Sequence, residues 1–173
     1  HVVMPTDYTS TYPYSPTGRL PGDLTVSLPD PLVWMTHMAA RTERLRFMTG
    51  VLILPQRNPL VLAKQLATMD YLSGGRIELG IGVGWLEEEF DALGIPFARR
   101  GKRTDEYIEA MRALWARDDA DYTGEFVNFK GMNCNPKPTQ DPLPIIVGGH
   151  SEFAARRAGR LGNGYFPATG WAG

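Results

Sequence analysis

The residues in this chain whose types and spacing could do chemistry are mostly glycines. Glycine stands at the end of three extended-looking runs: Thr49 and Gly50 in the first, Gly80-Ile81-Gly82-Val83-Gly84-Trp85 in the second, Val147-Gly148-Gly149 in the third. In parallel α/β sheets, ligands bind outside the carboxyl ends of the strands. Glycine at such an end removes side chains and lets backbone approach a flat ring or a phosphate. The third run leads into a helical pattern that opens with Ser151 and Glu152. Free N–H groups at that helix start, with the Ser151 hydroxyl, would form an anion site. Glu152 is expected to point outward, because its charge would oppose an anion. Taken singly, such glycines also suit tight turns with no ligand; three of them at strand ends favour the ligand. Gly80, Gly82 and Gly84 alternate inside the run and lack GxGxxG spacing, so they make no dinucleotide fingerprint. They suit one sheet face crowded by a cofactor or by large side chains.

Other chemistries are poorly provided for. The single cysteine, Cys134, excludes an internal disulfide framework, and His1, His37 and His150 lie too far apart to show metal-ligand spacing. No metal site is expected, and Cys134 is given no role. Lys and Arg number 18 against 19 acidic residues, a net charge of −1. Without a basic excess to neutralise phosphates, no nucleic-acid partner is expected. No apolar run approaches the ~18 residues of a membrane span, and no signal-peptide pattern is present. A cytoplasmic protein with no membrane association is the expectation.

These glycines need elements to position them. Residues 1–31, rich in Pro, Tyr, Ser, Thr and Gly, read as an irregular segment, either functional or a frayed end. Asp30 then Pro31 open one helix and Asn58 then Pro59 a second, which Gly74 and Gly75 close. Between them, "RLRFMTGVLILP" reads as a buried strand, and "RIELGIGVGW" as the next. "LEEEFDALG" suits a short helix whose acids favour its N-terminal dipole. A longer helix follows, with Tyr107, Ile108, Met111, Leu114 and Trp115 on one face. "DYTGEFVNFKG" suggests a small hairpin, "PIIVGGH" a third strand, "SEFAARRAGRLGNG" a helix and "GYFPATG" a short fourth strand. Asp70 and Arg76 beside "LSGGR" are read as structural. The basic stretch at residues 99–106 is either a helix-capping surface or a dock for an anionic tail.

Strands therefore alternate with helices, and near-continuous apolar runs suit strands buried on both faces of a parallel sheet. The class is α/β. A Rossmann fold and a (β/α)8 barrel both remain open on this ground. A complete barrel needs about 250 residues, so four strand–helix units in 173 residues amount to half of one.

The stretch "RTERLRFMTGVLILPQRNPLVLAKQLATMDYLSGGRIELGIGVGW" resembles the core of the bacterial luciferase-like flavin monooxygenase superfamily. The continuation through "EEEFDALGIPFARRGKRTDEYIEAMRALW", "GEFVNF" and "PKPTQDPLPIIVGGHSEFAARRAGRLGNGYFP" is similar to its deazaflavin branch, which uses coenzyme F420. The resemblance implies a TIM-type (β/α)8 barrel, of which residues 1–173 would cover strands three to six as one domain incomplete at both ends. A piece of a longer protein is the expectation, with a naturally shortened homologue as the alternative.

The resemblance also implies an oxidoreductase that transfers hydride between coenzyme F420 and a small organic substrate, as a homodimer. An FMN-dependent monooxygenase and a shortened non-catalytic flavin-binding protein are the alternatives. By position, Thr49, Gly50 and Val51 match the bulge that backs the cofactor ring, often through a non-prolyl cis peptide. Gly82, Gly84 and Trp85 match the strand end near the ribityl chain. Gly148, Gly149, His150 and Ser151 match the phosphate-binding turn, and His1 matches the catalytic histidine. Sugar-phosphate dehydrogenases of that branch carry Glu where this chain has Trp85, which argues for a flatter, more apolar substrate.

Overall fold

The computed structural model describes residues 1–23 and 25–167. Among the described residues before Pro31 there is no helix or strand, and the regular elements begin with α1 (Pro31–Ala39), capped by Asp30, whose carboxylate accepts from the N–H groups of Leu32 and Val33. The short strands β1 (Phe47–Met48) and β2 (Leu52–Ile53) follow, then a 3-10 turn (Leu54–Gln56) and α2 (Pro59–Ser73), capped by Asn58 and stopped by Gly74 in the left-handed conformation. Next come β3 (Ile77–Gly82), α3 (Glu87–Ala92), α4 (Arg100–Ala116), and β4 (Ala120–Thr123) with β5 (Asn128–Met132). The last described elements are β6 (Ile145–Gly149), α5 (Glu152–Leu161), capped by Ser151, and β7 (Gly164–Pro167).

All pairings in the main sheet are parallel, in the order β1/β2, β3, β6, β7. This is the parallel sheet that the alternation of strands and helices predicts, in the half-barrel order that the resemblance implies. The antiparallel β4–β5 pair stands apart as the expected hairpin. The apolar pattern alone reads Phe47 to Ile53 as one strand, whereas the resemblance implies a bulge at Thr49, Gly50 and Val51; the structure has the bulge and interrupts the strand there. Met48 pairs with Glu78, an offset of 30, whereas Leu52 pairs with Ile81, an offset of 29. One extra residue is thus accommodated at Thr49, Gly50 and Val51, a β-bulge. Gly80 admits it: a Cβ there would lie 1.8 Å from the Thr49 carbonyl oxygen. The Gly50–Val51 peptide is cis.

The core explains the apolar pattern. Ile77, Leu79, Ile81, Ile145 and Val147 pack from one face of the sheet against Leu62 and Leu66 of α2 and Ile108 and Met111 of α4, all essentially inaccessible to water. Tyr107 and Trp115 pack at the margin, as their helix positions predict. The opposite face of β3 and β6 differs from the doubly buried strand expected: Gly80 is buried, but Glu78, Gly82, Ile146 and Gly148 are only partly so. At the other end of the sheet, Arg76 ties α1 and α2 together by donating to the carbonyls of Ser73 (2.7 Å), Ala39 (2.9 Å) and Leu45 (3.0 Å). Asp70 accepts from the Gln140 backbone (2.9 Å) and side chain (2.7 Å). Both residues are structural, as their turn predicts.

Candidate functional site

The bulge throws the Val51 side chain across the glycine-lined face of its neighbours. A Cβ on Gly82 would come within 2.8 Å of Val51 Cγ2, and one on Gly148 within 2.5 Å of Val51 Cγ1. The two glycines of adjacent strands therefore seat Val51. The alternation along β3 reflects a crowded sheet face: the Thr49 carbonyl crowds Gly80 and the Val51 side chain crowds Gly82. Val51 remains 37% exposed, so its outer face is a small apolar platform at the strand ends. Thr49 lies beneath: it is buried and its hydroxyl donates to the Gly80 carbonyl at 2.6 Å. Gly84, at φ +83°, has no room for a Cβ between Ile53 and Phe90.

His1 and Val51 line a common cavity of about 20 Å3 with Gln56, whose buried Nε2 has no hydrogen-bond partner. The cavity has room for little more than one water molecule. Above it, the His1 ring meets the Trp85 ring edge-on at 5.8 Å. Tyr8 and Tyr12 also stand edge-on to Trp85, at 5.4 and 5.1 Å, and Tyr12 continues to Tyr14. Burial and then the neighbouring Tyr12 and Tyr165 push the Tyr14 phenol above its ordinary pKa. Residues 8–14 thus run over the strand ends from Trp85 beyond β3 to Tyr165 on β7, whose hydroxyl donates to the Gly149 carbonyl at 2.9 Å.

Two acids of α3 hold this segment in place. Glu89, fully buried, faces His1 Nδ1 at 2.7 Å and accepts from the Val2 and Val3 N–H groups at 2.6 and 3.3 Å. Glu88 accepts from the Thr9 N–H (2.6 Å) and hydroxyl (2.9 Å) and from the Ser10 N–H (3.0 Å) and hydroxyl (2.7 Å). Residues 1–10 are accordingly a pinned strap and not a frayed end. The sequence marked these acids only as dipole partners of a short helix. Their grip on residues 80 positions away carries no local signal, and Gln56 was likewise missed.

Gly148, Gly149, His150 and Ser151, expected as a phosphate-binding turn, join the end of β6 to the start of α5. Gly149, at φ +136°, turns the chain against Ala154, and Ser151 Oγ accepts from the Ala154 N–H at 3.2 Å. His150 and Ser151 are exposed. Glu152 points outward as expected, paired with Arg156 at 2.5 Å. The basic stretch preceding and opening α4 is engaged within the fold. Arg99 and Lys102 both bind Glu125, Arg100 donates to the Gly84 carbonyl at 3.0 Å, and Arg103 to the Pro96 carbonyl at 2.7 Å. Burial lowers the Arg100 pKa, and Glu87 opposes that shift. The arrangement suits a flat ring: an apolar platform flanked by glycines, an unsatisfied amide donor and a histidine, with an anion-compatible turn to one side.

Comparison with known proteins shows the family and the fold. The family model for luciferase-like monooxygenases matches residues 2–172. An uncharacterized protein of Mycobacterium tuberculosis is 39% identical over 170 residues, 98% of this chain and 56% of the relative. The FMNH2-dependent dimethylsulfone monooxygenase of Pseudomonas putida is 38% identical over 139 residues, 78% of this chain and 38% of that protein. The crystal structure of monooxygenase RslO1 from Streptomyces bottropensis superimposes with a TM-score of 0.73 at 37% identity, covering 79% of this chain and 42% of that one. The coenzyme F420 dependent tetrahydromethanopterin reductase from Methanopyrus kandleri shares the fold, with a TM-score of 0.71 at 23% identity over 80% of this chain and 44% of that one. The chain spans about half the length of the first curated relatives it matches, 52% and 56%.

Proposed function

This chain belongs to the luciferase-like monooxygenase family, and on that premise we propose that it is an oxidoreductase whose strand ends hold the ring of a flavin-type cofactor, coenzyme F420 in the first reading. The observation that carries the proposal is Val51, held by Gly82 and Gly148 as an apolar platform with His1, Trp85 and the unpartnered Gln56 amide around it. Such a ring supplies the redox chemistry when bound, and the protein supplies binding, orientation and electrostatics. Gly50 and Val51 would back the ring, with Thr49 fixing the bulge from below through Gly80. Gly82, Gly84 and Trp85 would border the ribityl chain. Gly148, Gly149, His150 and Ser151 would take the phosphate at the start of α5. His1, turned toward the same space, would hydrogen-bond a substrate oxygen or move a proton. The substrate would be a small organic molecule, flat and apolar enough to lie against Trp85 and Tyr12.

FMN is the second reading, favoured by the FMNH2-dependent dimethylsulfone monooxygenases that share more than a third of their aligned residues with this chain. The two readings differ in whether the reduced cofactor reacts with oxygen. The test is a parallel fluorescence titration with F420 and FMN. Micromolar or tighter binding of F420 alone supports hydride transfer. Preference for FMN moves the assignment to the monooxygenase reading, with oxygen consumption as the next assay. Binding of neither overturns the cofactor assignment for this chain.

A further inference from the structure

We propose that Glu89 is a positioning residue for His1: its carboxylate fixes the imidazole proton on Nδ1 and leaves Nε2 as the basic atom offered to the reacting partner. The proposal builds on the reading of His1 given above. Glu89 is fully buried on α3, and among the described residues the His1 imidazole is the side chain that pairs with its carboxylate. Its two oxygens divide the work. Oε1 accepts from the Val2 and Val3 N–H groups, and Oε2 faces His1 Nδ1 at 2.7 Å. An ionised carboxylate can only accept, so Nδ1 must donate, and in the neutral ring Nε2 then carries the lone pair. The edge contact with Trp85 and the cavity shared with Val51 and Gln56 hold the same ring from other sides. The neighbouring acids do not substitute: Glu88 is occupied by Thr9 and Ser10, and Glu87 is exposed.

A purely structural clamp and a tautomer-setting group make different predictions for Glu89→Gln. The amide oxygen can still serve Val2 and Val3, so the backbone clamp survives. The NH2 group then replaces Oε2 and donates to Nδ1, which forces the ring proton onto Nε2. The substitution is nearly isosteric and inverts the imidazole. In a Ser-His-Asp triad the corresponding carboxylate-to-amide change lowers kcat by about 10^4-fold through the wrong tautomer.

The test is a long-range 1H–15N correlation spectrum of histidine-labelled protein, read in the neutral form of the ring. The protein has three histidines, and the His1 signals are those lost in His1→Asn. Wild-type protein is expected to show Nδ1 protonated, Glu89→Gln to show Nε2 protonated, and Glu88→Gln to leave the His1 signals where they are. Nε2 protonated in the wild type, or the same tautomer in wild type and Glu89→Gln, overturns the proposal. Should Glu89→Gln fail to fold, the wild-type tautomer decides alone. The spectrum needs no cofactor, so its outcome is independent of the titration that tests the cofactor reading. In the cofactor-loaded enzyme, Glu89→Gln should lower kcat at least 100-fold with cofactor affinity within about threefold of wild type. Equal turnover would overturn the role.

Discussion

Val51 and Gly148 show how much of the site rests on single atoms. A methyl group on Gly148 would sit 2.5 Å from Val51 Cγ1, well inside van der Waals contact, and 3.1 Å from the Ile81 carbonyl oxygen. Overpacking of this kind costs about 1–3 kcal/mol, and the platform would have to shift. Gly148→Ala should therefore lose stability in a urea titration and weaken cofactor binding together. Shortening Val51 to Ala should remove most of the clash, so the two substitutions should couple by about 1–2 kcal/mol in a double-mutant cycle. Simple additivity would mean that Gly148 serves the turn and not Val51. The sequence made Gly82 and Gly148 legible as close approaches, because glycine at a strand end is a local signal. It left open what approaches them, because Val51 reaches both only through the bulge. Glu89 was hidden for a related reason: a carboxylate in a helix's first turn has an adequate local explanation, and its partner His1 lies 88 positions away.

At the level of elements, α3 does more than its 6 residues suggest. Its acids bind the strap formed by residues 1–10, and the strap carries Tyr8 onto Trp85. Burial works against ionised Glu88, but hydrogen bonds from the Ser10 hydroxyl and from the backbone of Glu88, Thr9 and Ser10 outweigh it and lower its pKa from 4.5 to about 2. A pKa depressed on folding means that the ionised clamp contributes fully above the unfolded value, and that the contribution disappears as pH falls toward the folded one. The stability difference between wild type and Glu88→Gln should therefore be constant from pH 7 to about 5 and shrink between about 4.5 and 2. Urea midpoints at a series of pH values would measure it, and a difference unchanged at pH 3 would rule the clamp out. At pH 7, trypsin should cut after Arg19 faster in Glu88→Gln, because Arg19 is held 4.6 Å over the Tyr8 ring of the same strap. The helices themselves were readable from Asp30, Asn58, Gly74 and Ser151, whose caps form as expected. The break between β1 and β2 was not readable from composition, because the apolar run continues across it.

Across the whole molecule, the alternation of apolar strands and amphipathic helices carried the parallel pairing, and the resemblance to a (β/α)8 barrel the consecutive order β1/β2, β3, β6, β7. The same pattern cannot say what covers the outer faces of the helices. On the packed pair α1 and α2, Val33 (70% exposed), Trp34 (55%), Val61 (56%), Tyr71 (60%) and Leu72 (70%) stand in water. Scattered apolar residues on a surface need no explanation, but five of this size on two adjoining helices suit a protein contact. A homodimer through α1 and α2 is the arrangement we expect. Trp34 is the best single probe, because a buried tryptophan is a common anchor of such contacts and here more than half of its surface stands in water. Sedimentation velocity at micromolar protein should give a dimer for the wild type. Trp34→Glu combined with Leu72→Glu should give a folded monomer that still binds cofactor, because both positions lie away from Val51 and His1. A monomeric wild type would remove the dimer, and a double variant that stays dimeric would move the contact to another face.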